Sequence, residues 1–259
     1  MNQANYDYLK EQVKRAGFGE GHENELKEKM ESKVPEFQIK HDQEFGKDVA
    51  AATLNFRGSQ TNDNYYFNNY EMSVTHGKSV TPVEQKFYIG EENNYSFPEA
   101  YNLMSGRAVN KDLTNRVGQE RNSWVKMDFK DADTNGNYKM KYFSESYGFD
   151  LDKTLANHPI KELGNEQDKA NLVNSLKAGN SHPVTFIRDG IEQKGMIEAN
   201  PQFRTINVYD ENMKRLSQGK KVSEDQSETE GKKHDQKNDL VNGAPKNTKR
   251  ESKKRGQHA

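Results

Sequence analysis

The fold class is most evident in the sequence VTFIRDGIEQKGMIE, which spans residues 184–198. Residues 184–187 are all β-branched or aromatic, and they predict a strand. Asp189-Gly190 predicts a two-residue hairpin turn, because both residue types tolerate a positive φ angle. Residues 191–198 are the expected partner strand, and residues 203–209 are expected to add a third. This part of the chain therefore predicts a small antiparallel sheet.

Similar patterns occur in the rest of the chain. A helix is predicted to begin at Asn165, which can cap it, and to end at Gly179. Further helices are expected at 4–16, around 26–30, at 96–105 and at 150–155, and further strands at 37–39, 53–56, 65–74, 87–89, 123–129 and 138–143. Residues 106–121 are expected to form a loop. Together these elements predict an α+β fold, with antiparallel strands in hairpins and meanders and short flanking helices.

The C-terminal part of the chain differs in composition from the rest. Only 31% of the 259 residues are hydrophobic and the mean hydropathy is -1.19, which indicates that part of the chain does not fold. From Ser217 onward, apolar residues are too few to offset the entropy lost on ordering, so we predict a disordered tail. The predicted regions are 1–95 (two helices, then strands), 96–156 (a helix and a hairpin), 157–215 (a helix and three strands) and the tail at 216–259.

Charge is unevenly distributed along the chain. The 39 Lys and Arg residues nearly balance the 40 Asp and Glu residues. Residues 217–259 nevertheless contain 11 basic and 7 acidic residues, whereas residues 1–216 contain 28 basic and 33 acidic residues. A basic C-terminal end on an acidic body favours an anionic partner for that end.

Several classes of protein and of site are excluded or disfavoured. The chain has no cysteine, which excludes disulfides, thiolate nucleophiles and cysteine-ligated zinc. Residues 1–14 are polar, and the longest apolar-leaning run, 49–54, is far too short to span a bilayer. No P-loop, GxSxG or HExxH motif occurs. We expect a soluble, cytoplasmic protein with no membrane partner, no cofactor and no identifiable catalytic residue.

Two groups of basic residues are candidates for contact with nucleic acid. The first group lies in the 106–121 segment, close to Trp124, and the second lies in the tail. The residues are Arg107, Lys111, Arg116 and Arg121 in the segment, and Lys249, Arg250, Lys253, Lys254 and Arg255 in the tail. Basic and aromatic side chains together can hold the backbone and stack the bases of a single strand. The alternative for the first group is a solvated loop that leads into a strand whose tryptophan lies in the core. The alternative for the second group is a tail that only improves solubility.

The sequence DADTNGN at residues 131–137 matches the first half of an EF-hand loop. Asp131, Asp133 and Asn135 are candidate oxygen ligands for calcium, and the glycine at the sixth position permits the tight turn. The twelfth position, where a bidentate glutamate is expected, is Tyr142. The alternative is a polar hairpin turn built from the same residue types.

Seven segments resemble a family of uncharacterised proteins from conjugative and mobilisable elements of Bacteroidota. The segments are 101–111, 124–130, 147–151, 159–163, 184–186, 197–203 and 206–210. The sequence EANPQF at 198–203 is the most specific of them. The C-terminal unit also resembles a domain of unknown function found in proteins linked to DNA topoisomerases and mobilisation. The resemblance implies a mobile-element context and no defined catalytic residue.

These observations leave three functional hypotheses. The first is a non-enzymatic accessory protein of a mobile element that binds a protein or a nucleic acid. The second is a host-directed inhibitor or an immunity-type factor, which would capture one host protein. The third is an unrecognised enzyme, which a pocket lined by converging polar groups with shifted pKa values would favour.

Overall fold

The structure is a computed structural model that describes residues 1–216. The helices of this part are α1 (Gln3–Val13), α2 (Glu23–Glu31), α3 (Phe97–Met104), α4 (Leu151–Ala156) and α5 (Glu166–Lys177). The strands are β1 (Glu36–Phe45), β2 (Asp48–Gly58), β3 (Tyr65–Thr75), β4 (Val83–Tyr88), β5 (Ala108–Thr114), β6 (Glu120–Ala132), β7 (Tyr138–Ser144), β8 (His182–Arg188), β9 (Ile191–Asn200) and β10 (Thr205–Asp210).

The strands form three antiparallel sheets. The first sheet is a meander in the order β1-β2-β3-β4, the second has the order β5-β6-β7, and the third has the order β10-β9-β8. Asp189 and Gly190 form the turn between β8 and β9, with φ angles of 52° and 76°, as the predicted hairpin requires. The predicted α+β fold with antiparallel strands is therefore confirmed.

The first hydrophobic core lies between α1, α2, α3 and one face of the first sheet. Alternate residues of the strands point into this core, and Leu54 and Tyr70 are fully buried. Phe18, which follows α1, meets the rings of Tyr70 and Phe97 at centroid distances of 5.1 and 5.3 Å. The Tyr70 hydroxyl donates to the carbonyl of Tyr95 at 2.8 Å. The core therefore buries aromatic area without leaving this hydroxyl unsatisfied.

The second sheet is shared between two cores, because neighbouring residues of a strand point to opposite faces. Val125 and Met127 in β6 belong to the first core, whereas Trp124 in β6 and Phe143 in β7 belong to the second. The second core also contains residues of α4, α5 and the third sheet. The second sheet thus forms one wall of each core.

A hydrogen-bonded junction joins α3 to the chain that leaves α5. Asn102 is 2% exposed, and its Nδ2 donates to the carbonyl of Ala178 at 2.7 Å and to Asn180 Oδ1 at 2.9 Å. Its Oδ1 accepts from Arg107 Nε and Nη2 at 3.1 and 2.6 Å, and Arg107 Nε also donates to the carbonyl of Gly179 at 3.0 Å. This Asn102 junction links the helix of the first core to the helix of the second.

The predicted loop at residues 106–121 is wrong. Ala108–Thr114 forms β5 and pairs with β6, and only the residues around 115–119 form a turn. Polar residues of the pair satisfy one another, since Asn110 and Asn122 exchange side-chain hydrogen bonds of 2.7 and 3.0 Å. Cross-strand pairing of this kind stabilises β5. The sequence of β5 is polar and does not by itself predict a strand.

Other boundaries also differ from the sequence prediction. β10 begins at Thr205 and not at residue 203, because Pro201–Phe203 forms a 3₁₀ turn. The expected region boundaries at 95/96 and 156/157 fall between elements, but the first core takes side chains from both sides of the first boundary. The predicted disordered tail lies outside the described residues from 217 onward. Within residues 1–216, no helix has the length and apolar character needed to cross a membrane.

Two histidines meet at the start of α2. His22 Nε2 lies 3.0 Å from His41 Nδ1, and the His41 ring packs edge-on against Phe97 with centroids 4.8 Å apart. His41 Nε2 is buried and has no hydrogen-bond partner among the described residues. Burial lowers the pKa of His41, and the charge of a protonated His22 lowers it further, although Gln43 and Asp42 act in the opposite direction.

Acid is expected to destabilise the fold through His41. A histidine whose pKa is lower in the folded than in the unfolded state takes up its proton mainly on unfolding, so stability falls as the pH drops below about 6.5. Burial also lowers the pKa of His158 and of His182, which adds to the same trend. In urea unfolding, we expect His41→Phe to lose less stability than the wild type between about pH 7.5 and pH 5. Parallel pH profiles for the two proteins would contradict this expectation.

Candidate functional site

A polar cluster lies on the β9–β10 hairpin, and the charges of two of its members act on Lys126 in β6. Its members are Lys126, Glu198, Asn200, Asn207, Tyr209 and Arg215. Glu198 and Asn200 alternate along β9, and Asn207 pairs with Glu198 in the β9–β10 register. Although both are polar, Glu198 and Asn200 are only 9% and 4% exposed. Burial of polar groups is costly unless they have partners, so the partners of these residues indicate what the cluster does.

The directions of the hydrogen bonds in the polar cluster are fixed by Arg215. Its Nη2 donates to Asn207 Oδ1 at 2.8 Å, and Asn200 Nδ2 donates to the same oxygen at 2.8 Å. A guanidinium can only donate, so Asn207 must present its oxygen here and Asn200 must present its amide nitrogen. The Tyr209 hydroxyl donates to Glu198 Oε2 at 2.8 Å. These bonds determine which atoms of the cluster are left without a hydrogen-bond partner.

Two polar groups of the cluster have no partner among residues 1–216. Asn200 Oδ1 is buried and accepts no hydrogen bond. The Lys126 ammonium forms neither a hydrogen bond nor an ion pair. An unsatisfied buried acceptor costs about 1–3 kcal/mol. The cluster therefore contains a buried acceptor that the described residues leave unsatisfied.

The polar cluster shifts the pKa values of Tyr209 and Lys126. Burial raises the pKa of Tyr209 to about 12, and the charge of Glu198 acts in the same direction, so the hydroxyl keeps its proton at neutral pH. Burial lowers the pKa of Lys126, whereas the neighbouring Glu198 raises it and Arg215 lowers it. The cluster thus contains two basic side chains and one carboxylate.

Aromatic and basic side chains flank the cluster at residues 201–204, which we call the 201–204 turn. The Tyr147 hydroxyl donates to the carbonyl of Gln202 at 2.8 Å, and the Arg204 guanidinium lies 4.9 Å from the centre of the Tyr147 ring. Phe203 is 68% exposed. An exposed phenylalanine and an arginine stacked on a tyrosine offer flat surfaces on which a base can stack.

The structure separates the four basic residues predicted as a nucleic-acid surface in the first half of the chain. Arg107 is held in the Asn102 junction, and Lys111 Nζ pairs with Glu99 Oε1 at 2.8 Å in a largely buried position. Arg116 and Arg121 are exposed near the turn of the β5–β6 hairpin. Two of the four charges are therefore engaged inside the protein. Contact of this set with nucleic acid stays a prediction.

The tryptophan of that predicted surface belongs to the second core. Trp124 is 6% exposed and packs edge-on against Phe149, with ring centroids 5.3 Å apart. This is the position that the alternative interpretation gives it. The tail residues Lys249, Arg250, Lys253, Lys254 and Arg255 lie outside the described residues, and their contact with nucleic acid stays a prediction.

The segment 131–137 contains the turn of the β6–β7 hairpin. Asp133 Oδ1 accepts from the backbone N–H groups of Asn135 and Asn137 at 2.8 and 2.9 Å, and Asp131 pairs with Lys139 at 2.9 Å. These are the bonds of a polar hairpin turn. In the described part of the chain, no three His, Asp or Glu side chains converge as a metal site. Calcium binding by Asp131, Asp133 and Asn135 stays a prediction.

A groove of about 970 Å³ lies along the first sheet beside α2. Four acidic and four basic residues line it. Arg57 pairs with Glu36 at 3.3 Å, and Lys86 pairs with Glu71 at 2.7 Å. This balance of charge makes the groove a poor match for a polyanion. Its exposed charged residues are therefore suitable positions for control substitutions.

Sequence reasoning missed the polar cluster, because its members come from distant parts of the chain. Lys126 lies in β6, whereas the others follow in β9, in β10 and after it. Glu198 and Asn200 do belong to EANPQF, the most specific segment of the family resemblance. Polar residues at alternate positions of a strand that ends in a proline turn are the signal that would have indicated a buried polar pair.

Comparisons of the chain with protein-family models, with curated proteins and with solved structures find no match. The function is therefore inferred from the chemistry of the polar cluster and its surroundings.

Proposed function

We propose that the chain is a non-enzymatic accessory protein of a bacterial mobile genetic element and that it binds single-stranded nucleic acid. The observation that carries the proposal is the polar cluster, where Asn200 Oδ1 is unsatisfied by the described residues and the charges of Glu198 and Arg215 act on Lys126. A single strand offers phosphates to basic groups and free base edges to buried polar groups. The mobile-element context comes from the family resemblance of the sequence.

The 201–204 turn supports the same proposal. Single-stranded nucleic acids bind through a basic groove together with aromatic side chains on which bases stack. Arg204 over Tyr147 and the exposed Phe203 supply both elements next to the buried Glu198 and Asn200. A duplex would hide its base faces from these side chains, which favours a single strand as the ligand.

A binding role suits the cluster better than a catalytic one. Tyr209 keeps its proton and uses it to donate to Glu198. Burial lowers the pKa of Lys126, and the charge of Glu198 opposes that shift. The cluster combines a lysine with a carboxylate and two amides, and these groups can bind a polar ligand through hydrogen bonds.

The proposal predicts salt-sensitive binding that depends on the 201–204 turn. Fluorescein-labelled single-stranded DNA and RNA would be titrated with the full-length protein at increasing NaCl, with fluorescence anisotropy as the readout. Arg204→Asn is expected to weaken binding by about 3- to 10-fold and to reduce the log–log salt slope by about 0.7. Asparagine is a suitable replacement because it tolerates the positive φ of 53° at this position.

Arg57→Asn on the first sheet is the matched control, because it also removes one exposed arginine. It is expected to leave affinity and salt slope unchanged. Replacing Lys249, Arg250, Lys253, Lys254 and Arg255 together by Gln is expected to reduce the salt slope further if the tail also contacts the strand. Absence of binding to DNA and RNA at low salt would show the nucleic-acid proposal to be wrong and would leave a protein as the partner.

A further inference from the structure

A line of polar side chains crosses the face of the first sheet that points away from the first core. Gln38 in β1 is opposite Asn55 in β2, and Asn55 is opposite Asn69 in β3. Asn69 is in turn opposite Tyr88 in β4. Residues directly opposite each other on neighbouring strands lie on the same face of a sheet. The three amides, which we call the amide row, and Tyr88 therefore form one line of about 14 Å across the four strands.

Hydrogen bonds join the three side chains of the amide row. Gln38 Nε2 donates to Asn55 Oδ1 at 2.8 Å, and Asn55 Nδ2 donates to Asn69 Oδ1 at 2.8 Å. Gln38 Oε1 at one end and Asn69 Nδ2 at the other form no hydrogen bond with residues 1–216. The row therefore offers an acceptor at one end and a donor at the other. Reversing all three amides would exchange the two ends and would leave the same pair of groups open.

The amide row lines the groove of about 970 Å³ beside α2. The charges of this groove balance, and half of them are in the ion pairs Arg57–Glu36 and Lys86–Glu71. The charged groups that remain are two carboxylates and two ammonium groups. A site of this kind attracts neither an anion nor a cation over a long distance. Its ligand is therefore expected to be uncharged and rich in groups that form hydrogen bonds.

Tyr88 adds a flat apolar surface at the end of the amide row. It is 69% exposed, so its ring is largely open to solvent. The face of an aromatic ring carries partial negative charge and attracts polarised C–H groups. A pyranose sugar presents C–H groups on its faces and hydroxyl groups around its edge. A sugar stacked on Tyr88 would direct edge hydroxyls towards the neighbouring Asn69.

We propose that the amide row and Tyr88 form a binding site for a neutral oligosaccharide. A hydroxyl group both donates and accepts, so the hydroxyls of one glycan can donate to Gln38 Oε1 and accept from Asn69 Nδ2. A phosphate or sulfate group only accepts and would leave Gln38 Oε1 without a donor. The length of the line suits a chain of sugars better than a single sugar. This site shares no residue with the polar cluster and does not depend on nucleic-acid binding.

The first test uses an array of immobilised neutral and acidic oligosaccharides, probed with the fluorescently labelled full-length protein. We expect retention on neutral glycans, with little change between low and high NaCl because the ligand carries no charge. A retained glycan would then be titrated, as the free oligosaccharide, into ¹⁵N-labelled protein. The side-chain NH₂ signals of Gln38, Asn55 and Asn69 are expected to shift in the NMR spectrum.

Two variants assign the binding to named side chains. Tyr88→Ala removes the stacking surface and Asn69→Ala removes the open donor, and each is expected to weaken glycan binding by about fivefold or more. Tyr8→Ala is the matched control for the first variant, because Tyr8 is 56% exposed on α1, which packs against the other face of the sheet. Asn157→Ala is the control for the second variant. Urea unfolding would verify the fold of all four variants.

The possible outcomes decide the proposal. Retention of neutral glycans that falls in Tyr88→Ala and Asn69→Ala, and persists in both controls, would support it. Retention of acidic glycans alone would overturn it, because charge would then hold the ligand. Binding that either variant leaves unchanged would place the site elsewhere, and absence of any retained glycan would also overturn the proposal. Neither of these last two results would affect the nucleic-acid proposal, which rests on other residues.

Discussion

Asn102→Ala is expected to destabilise the protein by about 3 kcal/mol, which is large for a single polar residue. The substitution removes two hydrogen bonds that Asn102 donates and two that it accepts. It also leaves the partly buried guanidinium of Arg107 with a carbonyl as its remaining hydrogen-bond partner. Unpaired buried groups cost more than the net value of the lost bonds. Urea unfolding should show the loss, and thermal unfolding should show a melting temperature lower by about 6–12 °C.

Asn157→Ala is the control for this change. Asn157 is exposed, and its side chain donates only to the carbonyl of Lys153, so its loss should cost less than about 0.5 kcal/mol. A double-mutant cycle with Arg107→Ala should give a coupling energy above about 1 kcal/mol, because Arg107 donates two hydrogen bonds to Asn102. If Asn102→Ala and Asn157→Ala were equally stable, the Asn102 junction would not hold the two cores together.

Gly195→Ala is expected to cost about 3 kcal/mol or more, because the third sheet has no room for a methyl group at this position. A Cβ atom there would lie 2.6 Å from the carbonyl oxygen of Tyr209 and 2.9 Å from the ring of Phe186. The first contact is with backbone, so the β9–β10 pairing itself would have to move. Unfolding in urea should show a lower midpoint. Because Tyr209 is part of the polar cluster, oligonucleotide affinity should fall as well.

Gly164→Ala is the matched control for Gly195→Ala. No atom lies within 4 Å of a Cβ at Gly164, and its φ is not positive. The change should shift stability by less than about 1 kcal/mol, since it mainly restricts the unfolded chain. Equal midpoints for the two alanine variants would mean that β9 and β10 adjust to the added methyl group at little cost.

The parts of the fold that could be predicted from the sequence are those fixed by local chemistry. The β8–β9 hairpin combines two segments rich in strand-forming residues with an Asp189-Gly190 turn between them. These three features are adjacent in the sequence. β5 could not be predicted in the same way. Its polar residues are stabilised by partners across the hairpin, such as Asn122 for Asn110, and by Glu99 of α3 for Lys111. Tertiary contacts of this kind leave no periodic pattern in the strand itself.

The polar cluster shows the same limit more clearly. Nothing near Lys126 in the sequence indicates that the charge of Glu198 will act on it, because that depends on how the second and third sheets pack. The basic residues of the 106–121 segment led to a different error. Their composition suggested an exposed charged surface, but Arg107 and Lys111 have internal partners. A group of basic residues in a sequence indicates an exposed charged surface only when their side chains have no partners inside the protein.

The shared position of the second sheet has a consequence for the synthesis of the chain. The helices and the meander of the first core leave the ribosome before Val125 and Met127, which supply part of the wall against which they pack. Translation adds about 5–20 residues per second. For some seconds, the apolar face of the first core is therefore exposed to chaperones and to other nascent chains. A messenger RNA truncated before β6 therefore encodes a first core that lacks part of its wall. A recombination event that brings in only one side of this protein must carry the second sheet with it to give a stable product.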